Sequence, residues 1–496
     1  MLSEYRQRFS QFQTDLHREE YLFRSGRKTT CETEYVYSEY RDLFRLSAVE
    51  ELRAKLSDTA EYRETEVQSI RRLIAFALEN HLAMRARDVS AEIEHYEANA
   101  RISWAGEQIA FRHTAELLTN ETVAIRRRDL YARRADVIQG AQDLRAERFR
   151  ILHEGAQELG FESYVVMRRE LRGVDCQKLA TQAEQILAKT ESRYVAGLSS
   201  LLVREAGVSL EQATAADLGW LGRYARFDAF FGKEQMPRLY RDLFAALGFN
   251  TERQSNVEID TAARPAKQSQ AFCSPVEVPD EIKLVVNFAG GQENYREFLR
   301  LAGRAQHFAW TSRNLYPEFR INGDAAVGEA WGMLFENLML EPAWLAGTFG
   351  FVENGEFHQA LSVLKLMALR RQAAKLIYET EFHAGKLING AGPRYAELMT
   401  DAVRVRFDET EAFSDISDEF SSASYIRAAA FEVQMRDHLK TQFGSRWCAS
   451  GKAGEMLIDL WNTGERHSVE ELARMIGLGE LDYDCLIAEA LKQIEG

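Results

Sequence analysis

Every proline of this 496-residue chain lies between positions 237 and 393, leaving residues 1 to 236 and 394 to 496 without one. Proline fixes φ and removes an amide donor, so it breaks helix interiors. Its absence permits long uninterrupted helices at both ends of the chain. Within the first stretch, apolar residues recur at helical spacing, as in Val67, Ile70, Leu73, Ile74, Phe76, Ala77 and Leu78, with Arg and Glu on the other face. A bundle of long amphipathic helices is expected. Arg, Glu, Ala and Leu are abundant enough to raise a coiled coil as an alternative, but no strict heptad lasts three or four repeats.

The chain is long enough for two lobes or one large domain. Hydrophobic residues at 46% and charged residues at 28% place it among globular proteins. A formal charge of −14 argues against nonspecific nucleic-acid binding, which draws its affinity from basic surface. The local run Arg126, Arg127, Arg128, Arg133, Arg134 alternates with acids and reads as a solvated helix face. The first twenty residues carry charges throughout and no apolar core, so no leader or anchor is expected there. The most apolar long stretch, residues 330 to 351, is interrupted by Glu336, Glu341 and Pro342 and reads as buried helix rather than a membrane span. Cys31, Cys176, Cys273, Cys448 and Cys485 form no CxxC or CxH pairing, which points to a reducing, cytoplasmic setting without disulfides or a thiolate metal site.

Residues 250 to 279 are polar, hold three prolines and lack helical periodicity, so they read as a loop or connection. A division into an amino-terminal helical lobe, 1–250, and a second lobe, 251–496, follows from it. Next comes a strand candidate, Glu281 to Phe288 (EIKLVVNF), ending at Gly290-Gly291. A helix from about Glu293 to Trp310 comes after the glycines.

The segment from Phe272, FCSPVEVPDEIKLVVNFAGGQENYREFLRLAGRAQHFAW, followed by Val327-Gly328-Glu329-Ala330-Trp331, resembles the active-site region of the thimet oligopeptidase and oligoendopeptidase F superfamily of zinc peptidases. The resemblance implies a mainly α, two-lobed, helical zincin-like fold of the neurolysin and oligoendopeptidase kind. A deep channel and a small β-sheet beside the active-site helix belong to that fold. It also implies a helix bearing HExGHxxH and a second helix supplying a glutamate ligand. On this chain Arg300 stands at the first histidine, Leu301 at the glutamate, Arg304 at the second histidine and His307 at the trailing one. Glu329 falls where the third zinc ligand belongs.

Catalytic zinc needs three N, O or S ligands and an open position for water. Residues 300 and 304 share one helical face, so imidazoles there would meet at one metal, whereas guanidiniums repel a dication. Leu301 removes the carboxylate that would take a proton from metal-bound water. His307 lies about 10.5 Å along the axis from residue 300, and with Glu329 it makes only two nearby ligands. No other HExxH occurs; His153-Glu154-Gly155-Ala156-Gln157 ends in a poor ligand, and His153 reads as an ordinary helix residue. No catalytic residue and no cofactor are therefore expected, with zinc kept only for an unexpectedly active site.

Arg300 and Arg304 bring two positive charges, and Glu329 and Glu336, seven apart on one helix face, bring two negative ones. An Arg-Glu cluster in place of the metal is one expectation. Arginines lining a water-filled channel are the other. Within Phe420-Ser421-Ser422-Ala423-Ser424-Tyr425, the resemblance makes Tyr425 the counterpart of a tyrosine that stabilises an oxyanion, although Asp415 and Asp418 stand where the family has a histidine. The leading functional expectation is a catalytically impaired peptidase homologue that binds an oligopeptide or protein tail through Arg300, Arg304, His307, Glu336 and Tyr425. An active zinc peptidase with an unconventional site is the alternative, and a helical scaffold or partner of an active paralogue is the third reading.

Overall fold

The computed structural model describes residues 2–352, 355–386 and 390–495. The fold is mainly helical. The helices that matter below are α1 (Leu2–Arg24), α2 (Cys176–Leu201), α3 (Gln292–Trp310), α4 (Ala325–Glu336), α5 (Glu356–His383) and α6 (Ser421–Phe443). Three of these (α1, α2 and α6) lie in the proline-free stretches. Among the described residues no helix is long and apolar enough to cross a membrane. The apolar stretch after residue 330 divides into α4, a 3-10 turn at Asn337–Leu340 and a helix at Pro342–Phe349.

The chain forms two compact units, each assembled from separated segments. The first comprises Met1–His81, Ala225–Val352 and Arg427–Asp482; the second comprises Leu82–Tyr224, Glu353–Ile426 and Tyr483–Gly496. The single boundary expected near residue 250 falls inside the first unit. Composition marked a polar segment there, but that segment contributes strands to the first unit's sheet.

That sheet has strands β1 (Val257–Asp260), β2 (Phe272–Glu277) and β3 (Glu281–Val285) in the order β1-β3-β2. β1 runs parallel to β3, with Val257 opposite Ile282, and β2 runs antiparallel to it, with Phe272 opposite Val285. The loop expected over 250 to 279 thus holds two strands. Pro275 hid β2, because proline is tolerated on an edge strand whose register already shifts between Pro275 and Glu277. Ile282 packs with Ala305, Phe308 and Ala309 of α3, while Val285, Phe272 and Val276 pack with Tyr21 of α1. The sheet is therefore covered by α3 on one face and α1 on the other, which fixes the position of the motif-bearing helix.

In the second unit α2 packs along α5. A Cβ added at Gly197 would lie 2.7 Å from Val363, so the glycine permits this close approach. Arg370, wholly buried on α5, donates to the Ala402 carbonyl at 2.7 Å, to the Leu187 carbonyl at 2.6 Å and to Thr190 Oγ1 at 2.7 Å, and pairs with Glu191. Arg127 corrects the reading of its basic run as a solvated face. It is fully buried and ion-paired at 2.8 Å to the equally buried Asp217, and it caps the carbonyls of Glu121 and Thr122 at 3.0 Å. A guanidinium tolerates such burial because each of its three nitrogens is directed at a fixed acceptor.

Candidate functional site

Two glycines bring α3 and α4 together in the first unit. A Cβ at Gly303 would lie 2.4 Å from the Trp331 carbonyl oxygen, and one at Gly332 would lie 2.9 Å from Cγ of Arg300. Backbones this close leave room at the contact only for side chains that run along it. The start of α4 is fixed separately. Asp324 caps the helix by accepting from the Ala326 amide at 3.1 Å, and it is gripped through both oxygens by Arg427 at 2.9 and 2.7 Å. Burial pushes the Asp324 carboxyl up, but Arg427 outweighs this and holds it below the usual range. Arg427 is held in turn by Glu470, with Nε donating at 2.7 Å.

Along this contact the charged side chains interleave. Arg296, Arg300 and Arg304 stand on one face of α3 at i, i+4 and i+8, opposite Glu329 and Glu336 of α4. Arg296 Nη2 donates to Glu336 Oε1 at 2.7 Å, and Arg300 Nη1 to Glu336 Oε2 at 3.1 Å. Arg300 Nη2 pairs with Glu329 Oε2, and Arg304 Nη1 donates to Glu329 Oε1 at 3.1 Å. Each carboxylate is thus shared by two guanidiniums, and these five side chains form a ladder with three positive and two negative charges. For Glu329 burial again pushes upward, but Arg300 and Arg304 keep it ionised and below the ordinary carboxylate range. Arg296 is the member that motif alignment missed. It stands outside HExGHxxH, and only its i−4 spacing from Arg300 signals it.

The other motif positions serve the interior. Leu301, where a general base would stand, is buried. His307 is wholly buried, with Nε2 3.2 Å from the Gly464 carbonyl. That carbonyl can only accept, so Nε2 carries the proton. Burial lowers the ring's pKa to about 4, with Arg304 adding to the effect, which keeps it neutral. His307, expected from the resemblance to bind a ligand, has no exposed surface in this structure. Tyr425, half-buried on α6, belongs to the second unit and not to the segments that build the ladder.

Two further groups were invisible to motif reading. Glu465 is buried in the first unit, where its Oε2 accepts from the Gly323 amide at 2.8 Å, and burial raises its pKa to about 7. In the second unit His153 Nε2 lies 3.0 Å from His383 Nδ1, among Phe149, Tyr164 and Phe382. No i+3 or i+4 spacing could have revealed a pair 230 positions apart.

These residues do not fit zinc. At the two positions where the resemblance implies imidazoles the chain holds guanidiniums, and Glu329, where it implies a carboxylate ligand, is engaged by both of them. Among the described residues no three His, Cys, Asp or Glu side chains stand together as a metal-binding group.

In overall architecture the chain matches solved structures of peptidases. Metallocarboxypeptidase 1 of Trypanosoma cruzi superimposes with a TM-score of 0.62 at 11% identity, covering 99% of this chain and 100% of that one. The carboxypeptidase of Pyrococcus furiosus gives 0.62 at 12% identity, covering 99% and 98%. The chain has a metallopeptidase-like fold. No family profile and no curated protein matches it at the level of sequence.

Proposed function

We propose that this chain is a non-hydrolytic peptidase homologue that binds peptides without cleaving them. The observation that carries the reading is the exchange at one site. Where the resemblance to the oligoendopeptidase F family places two histidines and a glutamate, the chain holds two ion-paired arginines and a buried leucine. Such a site can neither ligate a hydrolytic metal nor deprotonate water through residue 301. The frame Ala302-Gly303 and Ala305-Gln306-His307 persists around the exchanged positions, which supports the finer assignment to a helical zincin.

What the site keeps is cationic hydrogen-bonding surface. Arg296, Arg300 and Arg304 are each a quarter to a third exposed, so ligand carboxylates and carbonyls can reach donors already aligned by the ladder. Thermal shift against a library of short peptides tests binding, because a ligand that binds only the folded state raises its melting temperature. Cleavage of quenched peptides with added zinc tests the chemistry. The expected result is stabilisation by a subset of peptides with no cleavage. Zinc-dependent cleavage would establish the alternative of an active peptidase, and stabilisation by none would remove peptide binding.

A further inference from the structure

Each end of the ladder carries an arginine paired with one carboxylate, Arg296 with Glu336 and Arg304 with Glu329, and the two ends differ in the nitrogen that Arg304 leaves without an acceptor. Arg300 is shared between Glu329 and Glu336. Among the described residues Arg304 pairs with Glu329 alone, through Nη1. Its Nε lies buried without a hydrogen-bond partner, while about a third of the side chain is open to solvent.

The groups that share Arg304's electrostatic environment bring little compensation. They are Glu329, His307, Cys273 and Glu465. His307 is neutral, burial holds Cys273 as a thiol with its pKa pushed up to about 12, and the buried Glu465 is only partly ionised at neutral pH. Glu329 is therefore the one fully ionised acid among them, and Arg300 draws on it as well. There is also space. Among the described residues, apart from its chain neighbours and the backbone of its own helix, a Cβ built at Gly328, one turn before Gly332, would meet a single heavy atom within 4 Å, Nε of Arg304 at 3.9 Å. The glycine leaves room beside the guanidinium that any side chain would fill.

We infer that Arg304, with the space over Gly328, is a binding site for a single carboxylate, held by the guanidinium donors that Glu329 does not use. This rests on the peptide-binding reading above and gives it a chemical end: a peptide would enter with its free α-carboxylate at Arg304. A small free carboxylate offers the same chemistry, and the test separates the two. A planar two-oxygen acceptor matches the geometry of the guanidinium fork, and completing the partners of an under-used buried donor favours occupancy.

The experiment uses the full chain and titration calorimetry with N-acetyl-tetra-alanine as the free acid, the same peptide as its carboxy-terminal amide, and sodium acetate. The acid is expected to bind at least tenfold more tightly than the amide. Arg304→Gln is expected to abolish that difference, and Arg238→Gln, at an exposed arginine paired with Asp242 outside the ladder, to preserve it. Because Arg304→Gln also removes one rung of the ladder, Gly328→Val serves as the second variant: it keeps every charge, fills the space, and is expected to weaken the acid by a similar factor. Acetate competing at millimolar concentration would support the carboxylate site with small carboxylates as a source, and acid binding without acetate competition would support the peptide terminus. Equal binding of acid and amide would overturn the carboxylate site while leaving peptide binding intact. Acid binding unchanged in both Arg304→Gln and Gly328→Val would overturn the assignment to Arg304. Binding of none of the three would overturn this inference together with the peptide reading.

Discussion

Removing Glu329 isolates what the ladder contributes to holding α3 against α4. In Glu329→Ala, Arg300 keeps Glu336 but Arg304 loses its one partner, and three guanidiniums then face a single carboxylate. Breaking a fully buried ion pair costs about 3 to 5 kcal/mol, while exposed pairs contribute about 0 to 1. The Glu329 side chain is 21% exposed and those of its partners 27% and 34%, so the site lies between these limits and a loss of about 2 kcal/mol is expected. At roughly 2 °C per kcal/mol for a domain of this size, the melting temperature should fall by about 4 °C. Urea unfolding followed by tryptophan fluorescence is the assay, because five of the seven tryptophans, including Trp331 on α4, lie in the first unit. Part of the loss should disappear in 1 M salt, which shortens the screening length to about 3 Å. Replacing the group as a whole, with Arg300→Met, Arg304→Met and Glu329→Leu together, should cost far less than the single change, since no charge is left unpaired. An unfolding midpoint for Glu329→Ala equal to that of the parent chain would refute the ladder as a cross-link.

Restoring the motif with Arg300→His, Leu301→Glu and Arg304→His should free Glu329 and raise bound zinc to one per chain by metal analysis; no gain with an intact fold would mean that the motif has been placed on the wrong positions. Gly303→Ala should destabilise the first unit by about 2 kcal/mol despite the better helix propensity of alanine, because its Cβ would meet the Trp331 carbonyl; a neutral or stabilising result in the same urea assay would contradict the close approach. The buried histidine pair sets an acid dependence for the second unit. Burial lowers the pKa of His153 to about 4 and that of His383 to about 3, so the unfolded chain takes up protons below pH 6.5 that the folded one refuses. Stability from each ring is complete above 6.5 and falls by about 1.4 kcal/mol per pH unit as the pH drops toward 4. Glu379, raised by burial to about 7, acts oppositely: its contribution is complete below 4.5 and is lost as the pH rises through 7. Between pH 4.5 and 6.5 these three groups together leave a net loss of about 1.4 kcal/mol per unit on acidification, and His383→Gln should cancel about that slope in urea titrations at pH 5, 6 and 7. An unchanged slope would show that the ring does not titrate on unfolding.

The helices of the proline-free ends were legible because the pattern that marks them is local: apolar residues every three or four positions, with nothing to interrupt the ladder of amides. The helix carrying residues 300, 301 and 304 was legible for the same reason, and its Arg and Glu spacing exposed four members of the cluster. The remaining features depend on separations that periodicity does not encode. Two strands of the sheet lay hidden in a proline-rich segment because each is short and lies at an edge, where β2 needs no amide from Pro275. The two units escaped because each is built from segments that interleave along the chain, and a polar stretch marks a boundary only when the chain does not return across it. Arg127 looked solvated from its charged neighbours, yet its partner Asp217 stands 90 positions away and makes it the most buried residue of its run. Asp324 shows the same dependence on distance with a direct bearing on the site. Its place as the cap of α4 follows from local sequence, but the Arg427 grip that holds Glu329 in register with Arg300 and Arg304 comes from 103 positions downstream. The identities of the ladder are thus written in two short helices, while its alignment is set by a contact that only the folded chain supplies.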